Sequence, residues 1–265
     1  MDESPQGEAL RNAATLVRAS TYAIALVGAG ISVESGIPPF RGTGGLWTKR
    51  GEPPLDGYQR FLRDPLAYWQ ERLTASPAED EFVAALDRAQ PNPAHHALAA
   101  LERAGLLHHV ITQNVDDLHR RAGQQHLTEI HGNRHWVRCV NCCWRMPSAE
   151  FLVGSVPPSC PECGGLVKSD TVMFGEPIPG PALERCYLET ERCDCMLVVG
   201  TSAQVYPAAD FPVIARQRGA TLIEMNLEET PLSDLCDVVV RGRLAETLPA
   251  LVRALDIESF FERTS

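Results

Sequence analysis

The hydrophobic residues of this chain follow two periods, and each period predicts a different element. Over residues 8–19 they recur every three or four positions, which predicts a helix whose buried face is formed by Leu10, Ala13, Ala14 and Val17. Short continuous apolar runs instead predict buried strands. Such runs lie at residues 22–27, 108–114, 196–200, 221–226 and 238–242.

Helical patterns separate most of these strands. Asn92 can cap a helix that begins at Pro93, and Gly105 suits the position just past its end. The Gly- and Pro-rich residues 36–57 are expected to form a loop. Further helices are predicted near residues 65–75, 78–90, 115–122, 207–218 and 246–255. Strands joined by helical crossovers predict the α/β class, with a Rossmann-like, doubly wound parallel sheet.

Two segments interrupt this alternation and predict a smaller second domain beside the sheet. The small domain is expected to comprise residues 41–90 together with residues 132–175. The large domain is expected to comprise residues 1–40, 91–131 and 176–256, followed by a C-terminal tail at residues 257–265.

Two Cys-x-x-Cys pairs lie in the second interruption. Cys139 and Cys142 form the first pair, and Cys160 and Cys163 form the second. Four thiolates complete the tetrahedral shell of Zn²⁺ and leave no position for water, so one structural zinc per chain is predicted. The alternative is a pair of redox motifs, but such a motif normally opens a helix and neither pair does so here. The small domain is therefore predicted to be a zinc ribbon plus a helical module.

Composition narrows the class of protein. The formal net charge of −10 argues against binding along a nucleic-acid backbone. The N-terminus is acidic and polar, unlike a signal peptide, and no apolar run approaches the roughly 20 residues that cross a bilayer. We therefore expect a cytoplasmic protein with no nucleic-acid and no membrane partner. In a reducing compartment, its nine cysteines favour metal ligands and free thiols over disulfides.

Small and polar residues follow the predicted strands, where parallel sheets bind their ligands. They comprise residues 28–32, 113–116, 131–132 and 200–202, and Asn226. His131 is the candidate proton acceptor, because histidine titrates near neutral pH and the glycine after it permits close approach. No role is assigned to the other histidines, which are His95, His96, His108, His109, His119, His126 and His135.

The first strand exit, GAGISVESGIPPFRG (28–42), is close to a dinucleotide-binding turn but departs from it. Gly28 and Gly30 match the first two glycines of G-x-G-x-x-G, whereas Val33 occupies the third position and the next glycine is Gly36. Two interpretations follow. The turn is either a damaged dehydrogenase turn or one built for different chemistry on the same cofactor.

Together these segments resemble the sirtuin family, in a bacterial-type form. The motifs cover roughly residues 10–255 in the family's order: GAGISVESGIPPFRG (28–42), TQNVDDLHRRAG (112–123), EIHGN (129–133), both cysteine pairs, FGE (174–176), GTSAQVYPAADFP (200–212) and MNLEETPLSD (225–234). The resemblance implies an NAD-dependent protein lysine deacylase with a Rossmann-type large domain and a small zinc domain. Its partners would be proteins or peptides that carry acylated lysine.

The resemblance also implies roles for particular residues. The implied NAD contacts are Gly28, Ala29, Gly30, Ile31, Phe40, Arg41, Trp47, Gln113, Asn114, Asp116, Gly200, Thr201, Ser202, Asn226 and Leu244. The implied catalytic residues are His131, as general base on the ribose hydroxyls, with Asn114 and Asp116. The substrate peptide would pair, as an added strand, with Val172, Met173, Phe174 and Gly175.

Two other functions fit part of these observations. Mono-ADP-ribosyl transfer or NAD hydrolysis would use the same cofactor but need only glycosidic cleavage, so His131 would be less necessary. A zinc-ribbon module that binds nucleic acid would not be an enzyme at all. The acidic charge and the polar strand exits argue against that module.

The sequence departs from the family's pattern at several positions. Pro39 stands where many members carry Asp, and Ser169 and Met173 replace a common Pro and Trp. Members that prefer succinyl-lysine carry a Tyr-x-x-Arg pair, whereas this chain has Arg72 and Ala75 in the corresponding stretch. Negatively charged acyl groups are therefore not expected to be preferred.

Overall fold

The computed structural model of the protein describes residues 4–41, 45–74 and 81–257. The strands in these ranges are β1 (Ala23–Val27), β2 (His109–Thr112), β3 (Leu127–Glu129), β4 (Trp136–Cys139), β5 (Arg145–Pro147), β6 (Val167–Ser169), β7 (Cys195–Val199), β8 (Thr221–Asn226) and β9 (Val238–Arg241). The helices are α1 (Pro5–Ala19), α2 (Leu46–Arg50), α3 (Gly57–Arg63), α4 (Pro65–Thr74), α5 (Glu81–Arg88), α6 (Pro93–Arg103), α7 (Leu118–Arg121), α8 (Gly180–Arg192), α9 (Asp210–Gln217) and α10 (Leu244–Ala254). Short 3-10 segments lie at Ala29–Ser35 and Ser233–Leu235.

Six strands form one parallel sheet in the order β3-β2-β1-β7-β8-β9. Counted within this sheet alone, the order is 3-2-1-4-5-6, which is that of Rossmann folds. The chain order reverses between β1 and β7, and ligands in such sheets bind beyond the carboxyl ends of the strands at that reversal. The predicted Rossmann-like, doubly wound sheet is confirmed.

Helices cover both faces of the sheet because its central strands are apolar on both sides. All five positions of β1 and of β7 are buried. Ala25 and Val27 face a core that they share with α1, α6 and α10. Ile24 and Leu26 face a second core, shared with α8 and α9. Burial on both faces explains why these strands have continuous rather than alternating apolar residues.

The segment between β3 and α8 forms a small antiparallel sheet in the order β5-β4-β6. Helices α2–α5 lie in the other predicted interruption. Trp69 of α4 connects the two, since its indole N–H donates to the carbonyl oxygen of Val167 at 2.8 Å. A helical module and a cysteine-bearing ribbon are therefore both present, while the domain boundaries stay a prediction.

The prediction that residues 36–57 form only a loop is wrong. Helix α2 lies inside this stretch, and α3 begins at its end. Two backbone bonds anchor α2, from Leu46 N–H to Pro39 O at 2.8 Å and from Trp47 N–H to Phe40 O at 2.9 Å. A helix this short has little stability of its own, so its formation depends on hydrogen bonds to a neighbouring segment rather than on local helix propensity. None of the described helices is long and apolar enough to cross a membrane.

Candidate active site

A cleft of about 750 Å³ opens at the carboxyl edge of the large sheet. Most residues predicted to contact cofactor or peptide line it: Gly28, Ala29, Gly30, Phe40, Arg41, Trp47, Gln113, Asn114, His131, Val172, Met173, Phe174, Gly200, Thr201, Ser202, Asn226 and Leu244. Ile31, Asp116 and Gly175 are not part of its lining. The strand exits therefore converge on one cavity, as the parallel topology requires.

The glycine turn packs directly on the exit of β7. A Cβ atom at Gly30 would lie 2.7 Å from the Cα atom of Gly200, which is too close for any side chain. Gly30 N–H also donates to Gly200 O at 2.8 Å. Val33, at the position of the missing third glycine, is 40% exposed and lines the cleft. Because Val33 is exposed to the cleft, this position accommodates a side chain and does not require glycine.

Side-chain amides fix the walls of the cleft where β2, β7 and β8 end. Gln113 donates to the hydroxyl of Thr201 at 2.9 Å, and Asn226 donates to the Thr201 carbonyl at 2.9 Å. Asn114 donates to the hydroxyl of Ser32 at 3.2 Å and to Gly28 O at 3.3 Å. These bonds hold three strand exits in one arrangement and present polar groups to the cavity.

Asp116 lies behind the cleft wall in a buried polar cluster. One of its oxygens accepts the Ser32 hydroxyl at 2.6 Å, and the other accepts the backbone N–H of Leu118 at 3.0 Å. His95 lies 3.5 Å from the same hydroxyl and contacts the ring of His119. Burial holds the pKa of His95 well below its ordinary value and lowers that of His119 to about 4. Neither histidine had a predicted role, and Ser32 was not among the predicted site residues; its only signal in the sequence is its place in the first strand exit.

His131 faces the cleft with its tautomer defined by one hydrogen bond. Its Nδ1 lies 3.0 Å from the carbonyl oxygen of Gln113, and a carbonyl can only accept, so Nδ1 carries the proton. Nε2 is then the basic nitrogen. Burial lowers the pKa of His131, and the bond to Gln113 opposes that shift only in part. The imidazole is therefore neutral at pH 7, as a proton acceptor must be.

Gly132 makes the turn after His131 possible. Its φ is +76°, and a Cβ atom there would lie 2.1 Å from the carbonyl oxygen of Asp170. The turn therefore brings the histidine against the start of residues 171–176, which we call the peptide segment. Val172 N–H donates to His131 O at 2.9 Å, so the segment is bonded to the backbone of the histidine itself.

Aromatic rings connect the peptide segment with the loop before α2. The ring of Trp47 lies 5.0 Å from that of Phe40 and 5.6 Å from that of Phe174. Phe40 also contacts Phe82 of α5 at 5.8 Å. The guanidinium of Arg41 stacks over Trp47 at 4.4 Å. This end of the cleft is therefore apolar, in contrast to the amide-lined end.

The four predicted zinc ligands form one cluster. Their sulfur atoms lie within 4.8 Å of one another, with 3.5 Å between Cys139 and Cys163 and 3.7 Å between Cys142 and Cys160. Zn–S bonds of about 2.3 Å in a tetrahedron set sulfur atoms roughly 3.8 Å apart, so these thiols fit zinc. The neighbouring Cys143 is exposed and outside the cluster. Four sulfur ligands leave no open position, which is the arrangement of a structural site.

The chain is similar over most of its length to known proteins. The Sir2 family model matches residues 28–207. An NAD-dependent protein deacylase of Thermococcus kodakarensis is 45% identical over 250 residues, which cover 92% of this chain and 95% of that protein. NAD-dependent protein deacylase 1 of Archaeoglobus fulgidus is 45% identical over 239 residues, covering 88% and 93%.

Solved structures agree with the sequence relatives. A mutant Sir2 homologue in complex with ADP-ribose is 40% identical, covers 97% of both chains and has a TM-score of 0.77. A Sir2 homologue in complex with NAD is 42% identical, covers 92% of this chain and 93% of the other, and has a TM-score of 0.76. The resemblance expected from the motifs is therefore confirmed, while the bacterial type stays a prediction. From its fold, its cleft and these relatives, the chain belongs to the Sir2 family.

Proposed function

We propose that this chain is an NAD-dependent protein lysine deacylase, which releases nicotinamide, unmodified lysine and O-acyl-ADP-ribose. One observation carries the proposal: a single cleft holds the glycine turn, the amide-bearing strand exits, His131 and the peptide segment. Curated relatives named NAD-dependent protein deacylase support the same assignment. When bound, NAD supplies the ADP-ribose group that accepts the acyl chain.

Different residues along the cleft are assigned to different parts of the cofactor. The glycine turn lines the cleft at the start of a helical segment and would lie beside the pyrophosphate. Gln113 and Asn114 hold the nicotinamide ribose, and Asn226 borders the adenosine end. His131 accepts a proton from a ribose hydroxyl at Nε2, because Nδ1 is already committed to Gln113 O. Asp116 acts from behind the wall by orienting Ser32.

The apolar end of the cleft favours uncharged acyl groups. Arg41 is a cation at this end, but it pairs with Glu52 at 2.9 Å and stacks on Trp47. Arg72 does not line the described cleft, and Ala75 lies outside the described residues. A succinyl carboxylate would therefore lose its hydration there, while the arginines of the described lining, Arg41 and Arg243, are already paired with Glu52 and Glu34.

Mass spectrometry of a reaction with NAD and a panel of acetyl- and succinyl-lysine peptides tests the proposal. We expect deacylated peptide and O-acyl-ADP-ribose, with acetyl removed faster than succinyl. His131→Ala is expected to abolish deacylation while some nicotinamide exchange remains, and the exposed His135→Ala serves as the matched control. ADP-ribosylated protein, or free ADP-ribose formed without acyl peptide, would instead identify a mono-ADP-ribosyltransferase or an NAD glycohydrolase.

The partners of the proposed enzyme are proteins or peptides that carry an acylated lysine. The peptide segment would receive them as an added strand, through those of its backbone groups that are not bonded within the protein. The cytoplasmic location and the lack of a nucleic-acid or membrane partner stay predictions from the sequence.

A further inference from the structure

Three cations form a row across the small sheet. Arg138 in the central strand lies directly opposite Arg145 of β5 and Lys168 of β6. Like charges placed opposite each other destabilise a sheet unless anions compensate them. The compensating carboxylates come from outside the small sheet and are Glu129, Asp170 and Glu176.

Lys168 is the most deeply buried member of the row, with an exposure of 0%. Its ammonium group has three N–H donors and no acceptor, and three acceptor atoms surround it. The donors reach Ser169 O at 2.7 Å, Thr171 O at 2.8 Å and the carboxylate of Glu176 at 3.0 Å. Each donor therefore has a partner, and two of the three partners lie at the ends of the peptide segment.

The carboxylate of Glu176 extends this contact into the segment. The oxygen that pairs with Lys168 also accepts Met173 N–H at 2.8 Å, and the other oxygen pairs with Arg138. Glu176 N–H returns a bond to Met173 O at 3.0 Å. The buried charges thus close the segment into one turn.

The same segment is bonded on its other sides to the proposed catalytic and helical elements. Val172 N–H donates to His131 O at 2.9 Å, and Tyr58 N–H of α3 donates to Phe174 O at 3.0 Å. Any change in the path of the segment would therefore alter the backbone groups offered to a peptide.

We propose that Lys168 is a positioning residue that holds the peptide segment in the path required for binding the acylated peptide. Its effect passes through Thr171 O and the Glu176 carboxylate, since Lys168 itself is buried away from the cleft. The role of the segment in binding peptide rests on the proposed deacylase function, whereas the ordering of the segment does not.

Composition supports a specific role for this lysine. The chain has only two lysines, Lys49 and Lys168, among 24 lysines and arginines. A guanidinium is planar and donates in a fixed fork, whereas an ammonium directs three donors from one compact centre. The two carbonyl oxygens and one carboxylate around Lys168 suit the three donor directions of an ammonium group better than the planar fork of a guanidinium.

The first arm of the test is steady-state kinetics on the full-length protein with its zinc content measured. Lys168→Met removes the charge at similar volume, and we expect the KM for an acetyl-lysine peptide to rise about 10- to 100-fold. The KM for NAD should stay unchanged and kcat should fall less than the peptide KM rises. Lys168→Arg, which keeps the charge, should raise the peptide KM less. Arg218→Met, at an exposed ion pair with Glu191, is the matched control.

The second arm is hydrogen exchange without substrate, which measures the segment whether or not the protein is a deacylase. In Lys168→Met the amides of Val172 and Met173 should exchange faster than in wild type and in the control, while those of β1 and β7 remain protected. Unchanged exchange in the segment, or an unchanged peptide KM in an active enzyme, would overturn the proposal. Faster exchange in a protein whose wild type shows no acyl-peptide turnover would uphold the positioning role and refute the deacylase function.

Discussion

Glu224 of β8 offers a test of how the adenosine end of the cleft is held. Its carboxylate is fully buried and accepts hydrogen bonds from Thr230, from Ser233 at 2.6 Å and from Arg241 at 2.8 Å. These partners anchor residues 227–231, which line the cleft beside Asn226. We predict that Glu224→Gln loosens this loop and weakens NAD binding.

The magnitude follows from the donors that converge on Glu224. A glutamine has one acceptor oxygen and an NH₂ group that cannot accept, so at least one buried donor loses its partner at about 1–3 kcal/mol. Arg241 is 34% exposed, so water compensates part of its loss and the penalty lies below that of breaking a fully buried ion pair. If this free energy acts entirely on the equilibrium between the closed and the open loop, the KM for NAD rises roughly 5- to 150-fold.

The assay compares the KM for NAD, the KM for the acyl peptide and the melting temperature. We expect a raised KM for NAD, an unchanged KM for peptide, and a melting temperature lower by about 2–4 °C per kcal/mol. Glu191→Gln makes the same chemical change in the exposed ion pair with Arg218 and should alter none of these values. An unchanged KM for NAD in Glu224→Gln, with the melting temperature lowered, would show that the buried carboxylate does not govern the loop.

Three further predictions concern the histidine, its turn and the zinc site. As the pH falls, kcat/KM should decrease with a midpoint below the ordinary histidine pKa of about 6.5, because activity requires neutral His131 and burial lowers its pKa. A midpoint above that value would refute the assignment of His131 as the base. Gly132→Ala should lower both the melting temperature and deacylation, whereas Gly105→Ala, with a similar φ of +72° and open space around its Cβ, should cost only about 1–2 kcal/mol of backbone strain. Removing zinc with a chelator should release the ion and increase exchange in β4, β5 and β6 before the large sheet; retention of their protection would argue against a structural metal.

Several features of this protein follow from local sequence. Continuous apolar runs such as AIALV are buried on both faces, so they predict a parallel sheet before any contact is known. The spacing of Cys139, Cys142, Cys160 and Cys163 predicts a zinc site because a tetrahedral ion accepts few arrangements. The strand exits predict the cleft, since parallel topology brings all carboxyl ends to one edge.

Other features depend on contacts with residues outside the local stretch of sequence. Helix α2 lies in a Gly- and Pro-rich stretch and is held by backbone bonds to residues 39–40. Ser32 and Asp116 meet behind the cleft wall across two strand exits, so neither shows its role in local sequence. Asp116, which the resemblance implied as an NAD contact, is buried and is not part of the described cleft lining, so its role at the cofactor stays a prediction.

Sequence alone therefore determined the class of fold, the metal-binding cysteines and the edge of the sheet where the cleft opens. Each of these follows from a period or a spacing along the chain. The tertiary structure decided which charges are buried and what they hold, as with Lys168 against Glu176 and Glu224 against Arg241. The physical reason is that the free energy of a charge depends on its burial and on the atoms around it, and distant segments supply those atoms only after the chain has folded.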